Sequence, residues 1–182
     1  TSAFLTKLIA SVFPPEEVQV VEGGVEVAKG LLDQPWNHLF FTGSPKIGSQ
    51  VMATAARHLT SVTLELGGKS PVIVHPKFGA ETAGNRVAWA KGLNAGQVCI
   101  APDYALVRKD QREAFIAGFQ TGVRQFYGAL PAENPDFAHI VHERHWDRLE
   151  AWVEEARAGG AEIWQIDRPD RSSKYYPLTL VW

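Results

Sequence analysis

Short β-branched or aromatic runs alternate with glycine turns and helix-period stretches along nearly the whole chain, and this alternation most constrains the fold. Strand, glycine turn, helix, strand is the order of a parallel sheet with right-handed crossovers. Residues 3–13 place Phe4, Leu5, Leu8, Ile9 and Val12 at helical spacing, and Pro14-Pro15 stop them. Residues 18–21 predict a short strand closed by Gly23-Gly24, residues 24–32 a weak helix, and residues 38–42 a strand broken by Gly43. A helix is expected over 48–59, a strand over 62–66 ending at Gly67-Gly68, and an apolar strand over 71–74. Helices are expected over 80–94 and 111–127 with a strand over 104–107 between them, and a loop over 130–137. Residues 143–157 form an amphipathic pattern with Trp146, Leu149, Trp152 and Val153 on one face. A strand over 162–166 and a polar loop over 167–174 complete the series. The expected class is α/β, a parallel three-layer αβα arrangement, with the best domain boundary at Gly67-Gly68.

Charge and composition exclude several functions. With 18 Lys and Arg against 20 Asp and Glu, the net charge is −2, and the basic residues are scattered. Neutralising nucleic-acid phosphates needs a clustered positive surface, so no nucleic-acid partner is expected. No apolar run approaches the ~18 residues of a membrane span, and no signal-peptide pattern opens the chain. The single cysteine, Cys99, cannot form an internal disulfide, which points to a reducing, cytoplasmic setting. The six histidines show no metal-ligand spacing, so no metal is expected. The chain starts at Thr1 without methionine and ends on the apolar run Leu180-Val181-Trp182. It reads as an internal piece of something longer, ending on a cut strand whose partners are missing.

Three places carry chemistry. Residues Gly43-Ser44-Pro45-Lys46-Ile47-Gly48 run from a strand through a glycine turn into a helix, a geometry that aims backbone N–H groups at an anion. Glycines at 43 and 48 would let a phosphate approach without a Cβ in the way; an ordinary capped βα turn has the same pattern. Glu65 sits mid-strand and alternates with Val62, Leu64 and Leu66, so it is either a general base at a strand end or a solvent-facing residue. Cys99 follows a glycine-terminated helix in a loop of small residues, and is either a nucleophilic thiol among backbone donors or a buried, inert cysteine.

Together these segments are specific. Phe41-Thr42-Gly43-Ser44 with Gly48, then Leu64-Glu65-Leu66-Gly67-Gly68-Lys69-Ser70-Pro71, then Asn94-Ala95-Gly96-Gln97 with Cys99-Ile100-Ala101-Pro102-Asp103-Tyr104, closely resemble the aldehyde dehydrogenase superfamily. The wording is most like its class 3 and coniferyl-aldehyde branch, and the resemblance runs essentially from end to end. It implies residues 1–68 as the later part of an NAD(P)-binding domain and 69–182 as the first part of a catalytic domain. It implies that Cys99 attacks an aldehyde, that Glu65 activates the water hydrolysing the thioester, and that the Cys99 N–H forms half of an oxyanion hole. Residues 43–48 would line the pyrophosphate of NAD or NADP, and Leu66 and Gly67 would face the nicotinamide side. A homodimeric or homotetrameric parent acting on a small aldehyde is implied as well.

The resemblance also implies partners that are not among these residues: a lysine and an acid for the adenosine ribose, an asparagine completing the oxyanion hole, and a glutamate on the nicotinamide ribose. A catalytically incomplete piece, folding or binding dinucleotide weakly without turnover, is therefore the alternative expectation.

Overall fold

In the computed structural model, which describes residues 1–182, the chain divides into two compact units, Thr1–Leu66 and Gly67–Trp182. Helix α1 (Ser2–Val12) ends as expected before Pro14-Pro15, its last turn closed by the Phe13 N–H on the Ile9 carbonyl at 2.9 Å. Helix α2 (Val25–Leu32) follows. Residues 18–21, expected as a strand, pair with nothing. A β-branched run becomes a strand only where a neighbour takes its backbone groups, and Val18 and Val21 stay exposed.

Strand β1 (His38–Gly43), helix α3 (Pro45–Ala56) and strand β2 (Ser61–Leu66) make a β-α-β unit whose strands are parallel, His38 opposite Ser61 and Gly43 opposite Leu66. The His38 ring ties the pair, meeting Ser61 Oγ at 2.7 Å and Thr63 Oγ1 at 3.1 Å. Helix α3 begins three residues before the expected Gly48, because Ser44 caps it and Pro45 takes the first helical position, where its fixed φ fits and its missing N–H is not needed. Its buried face is Gly48, Val51 and Ala55.

The second unit repeats the pattern with β3 (Ser70–Ile73), α4 (Ala80–Gly92) and β4 (Pro102–Leu106), again a parallel pair. Helix α5 (Arg112–Tyr127) packs on α4 through glycines: a Cβ at Gly84 would stand 2.0 Å from the Phe115 carbonyl oxygen, and one at Gly118 2.0 Å from that of Glu81. Around this contact lies the main core of Ala88, Phe119, Val123, Phe137, Tyr175 and Leu178, with Trp164 edge-on to Phe119 at 6.1 Å. Helix α6 (Glu143–Ala158) adds a smaller cluster of Ile140, Trp146 and Tyr176, with Leu149 and Val153 against it. Trp152, expected on that buried face, is 55% exposed and carries the Arg148 guanidinium 5.0 Å above its ring. Both strips lie at helical spacing, and only the packing decides which one is covered.

The chain has the expected α/β class, with two of its three strand pairs parallel and the third, β5 (Ile163–Gln165) with β6 (Thr179–Val181), antiparallel. One expectation about strands needs correcting. The terminal apolar run does have a partner here: Leu180 lies opposite Trp164, and Trp182 and Glu162 exchange backbone hydrogen bonds at 3.0 and 2.9 Å. The intervening loop folds back because Asp170 accepts from the Ser172 N–H and from the Ser172 and Ser173 hydroxyls, which holds its carboxyl at about 2. No helix is long and apolar enough to cross a membrane.

Candidate active site

In the first unit, parallel register brings the two sequence signals to one edge. Thr42 lies opposite Glu65 and Gly43 opposite Leu66, so the glycine turn and the candidate base both leave the carboxyl ends of adjacent parallel strands. That edge is where open α/β sheets bind their ligands. Ser44 is exposed and uses its Oγ to accept, at 3.4 Å, from the Ile47 N–H, leaving its own proton free. Pro45 offers no donor, and Lys46 and Ile47 are exposed. Donors for an anion here are therefore the Ser44 hydroxyl, the Lys46 amide and the Lys46 ammonium. This set fits a dinucleotide pyrophosphate.

Gly48 plays a different part from the one expected. It is buried, and a Cβ there would stand 2.8 Å from Leu66 Cδ2, so the missing side chain serves helix–strand packing rather than phosphate approach. Leu66, half-buried, spends part of its surface on this contact. Gly67 is exposed, with open space where a Cβ would stand. Glu65 is exposed on β2, as a solvent-facing strand residue would be.

In the second unit, α4 stops at Gly92 and a single 3-10 turn, Leu93–Gly96, runs towards Cys99. Asn94, Ala95 and Gly96 are consecutively left-handed, at φ of 50, 52 and 76°. Only Gly96 adopts that region without strain; each of the other two costs roughly 1 kcal/mol. The turn persists because Gln97 binds it on several sides. The Gln97 Nε2 group donates to the carbonyls of Asn94 and His139, both at 3.1 Å, and its Oε1 accepts from the Val141 N–H at 3.0 Å.

Cys99 stands at the tip of the next turn, closed by the Ala101 N–H on the Val98 carbonyl at 3.0 Å. It is exposed, which removes the buried-cysteine alternative, and its backbone N–H donates to no protein carbonyl. From below, Gly68 approaches so closely that a Cβ there would be 2.7 Å from the Cys99 carbonyl oxygen. Lys69 and Asp103, flanking the two glycine-rich segments, pair at 2.5 Å. Nothing in the sequence marks Gln97 as the brace, because two of its partners, His139 and Val141, are far away along the chain. Gly68 was legible as a boundary and as part of the Leu64–Pro71 wording, not as a contact of Cys99. No group of three or more His, Cys, Asp or Glu gathers as a metal site.

A parallel β-α-β edge with a Ser44-capped helix start, and an exposed thiol on a braced turn, are the two candidate sites of this α/β chain. Residues 1–181 match the aldehyde dehydrogenase family model. The chain is 43% identical over 163 residues to a probable coniferyl aldehyde dehydrogenase of Pseudomonas aeruginosa, covering 90% of this chain and 34% of that protein. Its fold is similar to substrate-bound AldH of Staphylococcus aureus, with TM-score 0.88 and 34% identity over 99% of this chain and 39% of that one. It is also similar to an aldehyde dehydrogenase of Mycobacterium tuberculosis complexed with NAD+, with TM-score 0.79 and 27% identity, covering 92% of this chain and 36% of that one. The chain belongs to the aldehyde dehydrogenase family, and it spans roughly a third of the length of the relatives it matches.

Proposed function

We propose that the chain carries the thiol and base of an enzyme that oxidises an aldehyde to its carboxylic acid with NAD or NADP as hydride acceptor. The observation carrying this reading is Cys99: exposed, at the tip of a braced turn, with its own backbone N–H unengaged. In this proposal the Cys99 thiolate adds to the aldehyde carbonyl, giving a thiohemiacetal whose oxyanion accepts from the Cys99 N–H. A nicotinamide dinucleotide held at the Gly43–Gly48 turn would supply the hydride acceptor, leaving Cys99 as a thioester. Glu65 then removes a proton from the water that hydrolyses the thioester, releasing the acid and freeing Cys99. Ser44 and Lys46 would hold the pyrophosphate, while Gly43 and Gly48 shape the turn that presents them. Residues 1–68, Glu65 among them, belong in this reading to the later part of a cofactor-binding domain and 69–182 to the first part of a catalytic domain. The family resemblance supports a homodimeric or homotetrameric parent.

Two variants of the parent protein test this. Cys99→Ala is expected to abolish aldehyde-dependent formation of reduced cofactor; an unchanged rate refutes the thiol assignment. Glu65→Gln is expected to accumulate an acyl adduct on Cys99, seen as added mass by intact-protein mass spectrometry. Free turnover without any adduct excludes Glu65 as the base.

A second reading, the 182-residue chain folding without turnover, is favoured by its covering about a third of each relative. Turnover by this chain that disappears in Cys99→Ala eliminates it.

A further inference from the structure

Two residues before Cys99, one side chain spends its whole donor capacity on backbone groups. The Gln97 amide has two N–H donors and an acceptor oxygen. One donor goes to the Asn94 carbonyl and one to the His139 carbonyl, both at 3.1 Å, while Oε1 takes the Val141 N–H at 3.0 Å. A carbonyl at one residue and an N–H two residues on are what an extended segment offers a neighbouring strand along one side. The Gln97 amide therefore pairs with residues 139–141 as a peptide group would. The intervening Ile140 N–H donates instead to the Lys174 carbonyl at 2.9 Å.

The two ends of this link differ in rigidity. Residues 139–141 are fixed: Ile140 is 3% exposed and packs with Trp146 and Tyr176. The His139 ring donates from Nδ1 to the Ser173 carbonyl at 2.7 Å, and the Trp146 indole N–H donates to the Tyr175 carbonyl at 2.9 Å. The other end is the strained turn, with Asn94 and Ala95 held left-handed without being glycine. Two more bonds that close it also run to Gln97. The Gln97 N–H donates to the Asn94 carbonyl at 3.0 Å, and Asn94 Nδ2 donates to the Gln97 carbonyl at 3.2 Å. A costly backbone conformation persists only when its surroundings over-determine it, and here Gln97 supplies that determination.

We propose that Gln97 is a positioning residue for the Cys99 thiol: its amide ties the strained Asn94–Gly96 turn to the buried segment 139–141, and so sets where Cys99 and its free N–H stand. The inference rests on the reading of Cys99 as the nucleophile. Gln97 makes and breaks no bond of the reaction; it acts through the two residues of backbone between it and Cys99. A nucleophile displaced by about 1 Å loses on the order of a hundredfold in rate. All partners of the Gln97 amide lie in the Gly67–Trp182 unit, whereas Ser44 and Lys46 belong to the other. Loosening the link therefore acts on the chemical step and leaves the grip on the dinucleotide unchanged.

Steady-state kinetics of two variants of the full-length parent protein test it. Gln97→Met keeps the side-chain length and deletes all three amide bonds; kcat is expected to fall by about tenfold to a hundredfold with KM for the dinucleotide within about twofold. Gln97→Glu keeps the acceptor for the Val141 N–H, and only its protonated form donates as the amide does. Its kcat relative to the parent is therefore expected to climb as pH falls from about 8 to about 5, while the ratio for Gln97→Met stays flat. Lys69, Lys91, Asp103, His145 and Arg148, which line the same cavity as Gln97, and the neighbouring His139 are common to all three proteins and cancel in these ratios. Parent-like kcat in Gln97→Met, or a pH-independent ratio in Gln97→Glu, overturns the proposal; the second result would make Gln97 a space-filling residue. Should Gln97→Met lose the circular dichroism of the parent, the pH ratio of Gln97→Glu decides alone. Cys99→Ala runs beside them. Turnover lost in Cys99→Ala but parent-like in Gln97→Met sinks the positioning role by itself, whereas turnover that survives Cys99→Ala overturns both readings.

Discussion

The two units start from the same supersecondary plan, a parallel strand pair linked by one helix, yet they bury it very differently. In Thr1–Leu66 the β1-α3-β2 pair keeps only Gly48, Val51, Ala55 and Thr60 fully out of solvent, while Phe4, Val12 and Phe40 stay well exposed. In Gly67–Trp182 the β3-α4-β4 pair is continuous with α5, whose glycines let it lie against α4 at backbone contact, and three core clusters gather around it. A parallel pair gains stability from cover on its faces, because its ladder alone does not offset the ordering of two strands. The unit with the Gly43–Gly48 turn thus buries little, and the unit with the thiol is firmly packed. That division suits their proposed tasks: a cofactor edge tolerates local opening, whereas a nucleophile needs its backbone held.

The largest test of this contrast is Phe119→Ala, at the centre of the second unit's main core, which is expected to cost about 3–5 kcal/mol in denaturant unfolding. The matching change in the first unit, Val51→Ala, is expected to cost about 2 kcal/mol or less. Equal losses break the comparison.

Gly68→Ala probes anchoring of the thiol rather than of the fold. Its Cβ would press on the Cys99 carbonyl at 2.7 Å, so turnover of the parent protein is expected to fall by about a hundredfold. Parent-like turnover would show that the close approach of Gly68 does not position Cys99.

Alkaline titration separates the units by sign. Burial, and then hydrogen bonds to Asp167 and Glu150 respectively, raise the Tyr175 and Tyr176 phenols well above their ordinary value of 10.0. A raised folded value gives stability that is complete below the unfolded value and lost as pH climbs above it. The second unit is therefore expected to weaken from about pH 10 upward, by at most about 1.4 kcal/mol per pH unit for each tyrosine. Thermal melts of Tyr175→Phe should show a shallower decline over that range; an unchanged slope would exclude Tyr175 as its source. The smallest effect is expected from Ser44→Ala, about 1 kcal/mol or less through loss of the long 3.4 Å cap on α3, read from amide exchange of that helix.

Much of the element order was legible from punctuation, because Pro14-Pro15 and Gly43 act locally on φ and on donor supply. The reading failed where pairing or packing had a vote. Residues 18–21 have strand chemistry but no neighbour, and the terminal run at 180–182 has a neighbour that its own sequence does not reveal. The candidate residues were legible as residue types and wording. Their settings were not: Gly48 turned out to be a packing glycine, and the turn preceding Cys99 is held by Gln97, which reaches a carbonyl 42 residues away.

By itself the sequence determined the α/β alternation, the turn chemistry at Gly43–Gly48, and the family wording around Glu65 and Cys99, all of which depend on residues close together along the chain. Only the tertiary structure decided that Cys99 is exposed, that Trp152 lies outside the core, and that Lys69 finds its acid in Asp103, from a distant segment. Exposure and charge balance are set by neighbours brought in from distant segments, and a linear pattern holds no record of them.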